Sequence, residues 1–128
     1  MANDINEVRA AQALIDRHFE LWNDSNPANW AAPYPQIYTR DFFVADPAGV
    51  AQGYEQVTQL MQKIQSAHAG YTFRPEPITW NHGVGRVTWD YGPDDNPGLI
   101  HGEDIFTIED GKLASARVFL DKQQGAQE

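Results

Sequence analysis

Residues 100–121 read IHGEDIFTIEDGKLASARVFLD, two runs of alternating apolar and polar side chains around the pair Asp110-Gly111. An Asp-Gly pair between alternating runs is a strong short-range signal for a tight hairpin. The pattern predicts antiparallel strands over 100–108 and 113–121, each with one apolar face. Upstream, further strands are expected over 71–74, 78–81 and 86–91. The breaks between them are Pro75 and Pro77, His82-Gly83-Val84-Gly85, and the Gly- and Pro-rich run 92–98. These strands predict an antiparallel meander.

The N-terminal third follows a different period. Ile5, Val8, Ala11, Leu14, Ile15, Phe19 and Trp22 recur at spacings of three and four, which is one face of a helix over 4–22. Asp4 with Glu7 reads as a capping box, and the run Asn23-Asp24-Ser25-Asn26-Pro27 stops the helix. Pro27 fits the first turn of a short second helix through Trp30, limited by Pro33 and Pro35. Residues 37–45 alternate loosely as a strand ending at Asp46-Pro47-Ala48-Gly49. A third helix is expected from Gly53, with Val57, Leu60, Met61 and Ile64 on one face and Gly70 closing it. Helices gathered at the N-terminal end of an antiparallel sheet predict an α+β fold. The reading is one domain over 1–122 with a polar tail over 123–128.

Composition narrows the function classes. The chain has 128 residues, of which 41% are hydrophobic and 21% charged, enough to bury a single core. Eighteen acids against nine Lys and Arg give a net charge of -9, which repels phosphate backbones and anionic lipid heads. Neither nucleic acid nor a membrane is expected as a partner. With no long apolar run and no basic-then-apolar start, a cytoplasmic location is expected. The absence of cysteine excludes disulfides, thiolate catalysis and zinc-thiolate sites.

Strand alternation places Val87, Trp89 and Tyr91 on one face, with Arg86, Thr88 and Asp90 opposite. Asp104 shares a face with Gly102, Phe106 and Ile108, and Ala116, Val118 and Leu120 share another. One polar residue interrupts each of three apolar faces: His18 on the first helix, Asp46 beyond Phe42 and Val44, and Asp104 beside Phe106. A carboxyl among apolar groups has its pKa raised because desolvation disfavours the charged form, and it can then serve as a base or a hydrogen-bond donor near neutral pH. The bland alternatives are a packed core histidine for His18, turn chemistry for Asp46 before Pro47, and a satisfied buried acid for Asp104. His101-x-Glu103 offers at most two outward ligands, so no metal or cofactor is expected.

The string HGEDIFTIEDGKL at 101–113 with FLD at 119–121, YTRDFFVADPAG at 38–49 and HFELWND at 18–24 resembles the NTF2-like superfamily and its SnoaL-like branch. The resemblance implies a cone-shaped, half-open α+β barrel that pairs as a homodimer through its outer sheet face. Within that superfamily the polar groups look most like those of the ketosteroid isomerases, in which a base would fall at Asp46 and a protonated oxyanion-hole acid at Asp104. A neutral carboxylic acid of this kind is an established device of that enzyme. Their oxyanion tyrosine falls at His18, whose titration would make activity pH-sensitive. Limonene-type epoxide hydrolases and SnoaL-type cyclases fit less well, because their acidic positions fall at apolar or aromatic residues such as Tyr91 and Val118.

Two functions follow from the resemblance and the residues. One is a proton shift next to the carbonyl of a small apolar organic molecule, with Asp46 as base, Asp104 and His18 as oxyanion donors, and Trp22, Val44, Trp89, Tyr91, Phe106, Val118 and Leu120 holding the skeleton. The other is a non-catalytic binder in the same cavity. The segments 92–98 and 26–35 are expected to close its mouth.

Overall fold

The computed structural model describes residues 5–121. Helix α1 (Ile5–Asn23) buries Ala11, Ile15, His18, Phe19, Leu21 and Trp22, the stripe expected from the spacing. The capping box through Asp4 and the tail over 123–128 lie outside the described residues. A 3₁₀ turn at Pro27–Asn29 is capped by Asn26, whose side chain accepts from the Ala28 N–H. Pro33 and Pro35, expected only to end that turn, frame a further short helix α2 (Tyr34–Ile37). Proline is tolerated there because the N–H groups of a first turn have no helical acceptor.

Strand β1 (Tyr38–Asp46) turns back at once into β2 (Gly49–Gln52), and α3 (Gly53–Ala67) follows. The four-residue β2, Gly-Val-Ala-Gln, is too short and too weakly alternating to show in the sequence. The remaining strands are β3 (Thr72–Pro75), β4 (Thr79–Asn81), β5 (Val84–Gly92), β6 (Ile100–Glu109) and β7 (Lys112–Leu120). Asp110 and Gly111 both take positive φ, 52° and 76°, as a tight hairpin between twisted strands requires.

The sheet order is β2-β1-β7-β6-β5-β3, with β4 also on β5. It is mixed rather than purely antiparallel, because β1 runs parallel to β7 in the middle of the sheet. Periodicity fixes the faces of a strand but says nothing about its partner, and this pairing joins segments some 70 residues apart. Nor do β3 and β4 continue the meander. Both lie antiparallel along β5, pairing Pro75 with Trp89 and Thr79 with Arg86, as one border strand broken at Glu76-Pro77.

The sheet is curved and does not close. Register shifts between Tyr38 and Phe43 and between Thr107 and Ile108 bend the strands that carry them. Helix α3 packs on β1 and β2, and α1 on β3. Trp30, Tyr34, Ile37, Tyr38, Phe42, Val57, Met61 and Leu113 fill the core between them. Along the free border the Asn23 side chain donates to the Phe73 carbonyl (3.0 Å) and accepts from its N–H (2.8 Å), while Gln12 accepts from the Ile78 N–H (2.8 Å).

Candidate active site

The concave side of the sheet and the facing helices enclose a cavity of about 220 Å³. Nine of the residues expected at the site line it: His18, Trp22, Val44, Asp46, Trp89, Tyr91, Asp104, Val118 and Leu120. Phe106 does not. It is fully buried behind the wall, where its ring meets His18 edge-on at a centroid distance of 5.2 Å. Its face was legible, but not its depth, since a residue on the inner face of a curved strand can lie beneath a helical side chain.

His18 comes from α1 and is 3% exposed, its ring also packed edge-on to Phe19 at 4.9 Å. Its Nδ1 lies 2.7 Å from the Tyr38 hydroxyl, and the Trp22 indole N–H donates to that same hydroxyl at 3.1 Å. Because an indole can only donate, the Tyr38 oxygen accepts from Trp22; in the tautomer whose Nδ1 accepts the Tyr38 proton, the ring proton of His18 sits on Nε2. Burial pushes the imidazole down to about 3, so it stays neutral through the physiological range. The pH sensitivity expected of His18 is thereby removed. Burial likewise pushes the Tyr38 phenol well above its ordinary value, keeping it a neutral relay.

Asp104 is placed by β6, opposite Val87 on β5 and Val118 on β7, and is 6% exposed. Desolvation between these valines pushes its carboxyl up to about 7, so a large share carries a proton at neutral pH. The nearby Trp89 indole N–H pulls the other way, yet its geometry falls short of a hydrogen bond. Asp104 Oδ1 and Trp89 Nε1 are the buried side-chain polar atoms without a partner among the described residues.

Asp46 stands half-buried at the end of β1, where the turn chemistry weighed for it is present: Oδ1 accepts from the N–H groups of Ala48 (2.9 Å) and Gly49 (3.0 Å). Asp46 also lines the cavity. Beside it on the wall are Pro47, Leu60, Ile64 and His68, so α3 and the β1–β2 turn flank this end. No residue of 26–35 or 92–98 lines the cavity, contrary to the expected closure.

Sequence reasoning missed two residues here. Tyr38 reads as an ordinary strand residue, and only the tertiary fold brings its hydroxyl to His18. His68, just past α3, donates its Nδ1–H to the Ile64 carbonyl at 3.1 Å, leaving Nε2 as an acceptor. A lone His before Ala-Gly gave no signal. Phe19, Phe73, Ile100 and Ala116 complete the wall.

Outside the cavity, Arg86 lies 3.9 Å from Glu103, and His101 Nδ1 lies 2.7 Å from Asp90. These polar groups face away from the site, as alternation requires. Among the described residues no group of three or more His, Cys, Asp or Glu could hold a metal ion, and no helix is long and apolar enough to cross a membrane.

The family profile described as a SnoaL-like domain matches residues 15–116. Comparison with curated proteins finds no match. Among solved structures, a proposed isomerase of the SnoaL-like family from Agrobacterium tumefaciens str. C58 superposes with a TM-score of 0.81 at 16% identity, covering 88% of this chain and 98% of that one. A proposed SnoaL-like polyketide cyclase from Jannaschia sp. CCS1 gives 0.73 at 19% identity, over 88% and 86% of the two chains. A proposed ketosteroid isomerase from Kribbella flavida DSM 17836 gives 0.67 at 15% identity, over 88% and 78%. At such identities the likeness is one of fold.

Proposed function

We propose, for a chain that belongs to the SnoaL-like domain family, cofactor-independent acid–base chemistry: a proton shift next to the carbonyl of a small apolar molecule. The observation that carries this reading is the pairing of a neutral imidazole with a carboxylic acid held near neutrality on one apolar wall. Both present proton donors where water is scarce, and donors in such a place are worth more than in bulk solvent. The names of two structural relatives, each a proposed isomerase, agree with it.

In the proposed reaction the substrate carbonyl oxygen accepts from His18 Nε2–H and the Asp104 O–H. Asp46 removes the α-proton through its free oxygen. In a β,γ-unsaturated ketone the C–H electron pair moves into the carbonyl as a dienolate, and Asp46 then returns the proton to the γ-carbon as the carbonyl re-forms and the double bond moves from β,γ to α,β. Nothing is oxidised and no group leaves.

Cyclohex-3-enone is a suitable probe, because its conversion to cyclohex-2-enone is this reaction. In D₂O, NMR should show isomerisation and α-deuteration well above the buffer rate, reduced roughly 10²-fold or more in Asp46→Asn. A rate equal to buffer, or one unchanged by that substitution, would falsify the reading.

One observation favours a second reading, a binder without chemistry. The Asp46 carboxylate spends one oxygen on two backbone N–H groups, as a purely structural turn residue would. Under that reading the cavity takes up a ligand, while no variant alters its hydrogen isotope content.

A further inference from the structure

Three rings meet where α3, β3 and β5 come together. His68 caps the C-terminus of α3, Tyr71 stands just before β3, and Tyr91 lies near the end of β5. Their ring centroids are 5.0 Å apart for His68 and Tyr71, 5.6 Å for His68 and Tyr91, and 5.2 Å for Tyr71 and Tyr91. Tyr91 is held further by stacking at 4.0 Å on Phe73, its partner across the β3–β5 ladder. Two of the three rings, His68 and Tyr91, line the cavity.

Both carry a polar atom that the fold leaves unused. The Ile64 carbonyl can only accept, so His68 Nδ1 bears the proton of their hydrogen bond, and the neutral ring keeps a lone pair on Nε2. Neither that nitrogen nor the Tyr91 hydroxyl has a hydrogen-bond partner among the described residues. Unlike the sealed Trp89 Nε1 and Asp104 Oδ1, both keep accessible surface. Burial, with Tyr71 nearby, pushes the Tyr91 phenol up to about 12, so it stays a neutral donor. Along the β5–β6 ladder Tyr91 pairs with Ile100 and Val87 with Asp104. Four residues of strand, roughly 13 Å, thus separate the Tyr91 rung from that of the buried acid, with Trp89 on the same face between them.

We propose that Tyr91 and His68 form a second polar subsite, which selects an apolar ligand carrying a hydroxyl at the end away from Asp104. A hydroxyl fits because it accepts from the phenol O–H and donates to the imidazole Nε2 at once. A ketone or ether oxygen can only accept and leaves the imidazole unmet, and a hydrocarbon leaves both atoms unmet. The proposal names the substrate class of the cavity, and it rests on the acid–base reading for the placing of the substrate carbonyl at the other end.

The probes are 1-tetralone, 6-hydroxy-1-tetralone and 6-methoxy-1-tetralone, which share one carbonyl and differ only at the opposite end of a two-ring skeleton. Their dissociation constants are measured at pH 7 by titration calorimetry. Wild type should bind the hydroxy compound about tenfold or more tighter than 1-tetralone, as one or two buried hydrogen bonds would give, and the methoxy compound no more than about threefold tighter. Tyr91→Phe removes the hydroxyl and keeps a ring to stack on Phe73, and in it the tenfold preference should fall to within about threefold. Should that variant fail to fold, wild type supplies the second measurement. In a ¹⁵N spectrum the His68 Nε2 signal should move upfield with the hydroxy compound and not with 1-tetralone. A preference that survives Tyr91→Phe, a methoxy compound bound as tightly as the hydroxy one, a His68 signal that responds equally to both ketones, or no preference in wild type overturns the proposal. Because these are binding readouts, the preference without isomerisation of cyclohex-3-enone strikes the acid–base reading alone. Isomerisation without the preference strikes only the subsite.

Discussion

His18 and Asp104 titrate in opposite senses, and the pH dependence of folding follows from the pair. The unfolded chain protonates His18 below its ordinary 6.5, whereas the fold holds it neutral down to about 3. Its contribution is therefore lost as pH falls from 6.5. Asp104 does the reverse: it ionises above 3.8 when unfolded but only near 7 when folded, so its contribution is lost as pH rises through that window. Between about 3.8 and 6.5 the two slopes, each roughly 1.4 kcal/mol per pH unit, cancel. Asp104→Asn should then unmask a stability that falls on acidification relative to wild type, and His18→Gln one that rises. Urea unfolding at pH 4.5, 5.5 and 6.5 measures both, and parallel pH profiles for all three proteins would refute the cancellation. If chemistry needs the Asp104 O–H, isomerisation should decline as pH rises through 7, with no lower limb from His18 above pH 4. At this scale the sequence exposed His18 and Asp104 as polar interruptions of apolar faces. It hid Tyr38, which meets His18 only across 20 residues of chain, through a side-chain contact made by the fold.

Elements were legible wherever one chain segment decides its own shape. The stripe of α1, the start of α3 at Gly53 and the alternation of β5 to β7 all follow from local spacing and turn chemistry. What pairs with what did not, since the β1–β7 contact depends on the curvature of the whole sheet. Gly102 illustrates the same limit. In sequence it is a weak point in a strand, and in the fold a Cβ there would meet the Phe119 carbonyl at 2.7 Å as well as the Trp89 ring. The carbonyl belongs to the adjacent ladder and cannot yield freely. Gly102→Ala should cost about 1–3 kcal/mol, the usual range for overpacking, as a lowered urea midpoint with unchanged slope. A midpoint within error of wild type would show that β6 and β7 separate more easily than their pairing suggests.

For the whole molecule, the outer face of the sheet carries Phe119, 54% exposed, near Arg117, whose guanidinium lies 5.0 Å from the Phe43 ring centroid. An exposed aromatic among mixed charges suits self-association, and we propose a homodimer through this face. Light scattering should give twice the chain mass for wild type and the single mass for Phe119→Lys; a wild-type monomer at high concentration would dismiss the proposal.

An open sheet leaves strand borders that could recruit further chains. On one border the protein has met this hazard from within. The amide of Asn23 imitates a neighbouring strand at Phe73, and Gln12 takes the Ile78 N–H, so helix α1 occupies positions where a second molecule's backbone would dock. Asn23→Ala is expected to shorten the lag before thioflavin-positive fibrils form on gentle heating. An unchanged lag would mean that the broken line of β3 and β4, with Pro75 and Pro77, is protection enough. A shortened lag would mean that the same helix that brings His18 to the site also guards the open border of the sheet.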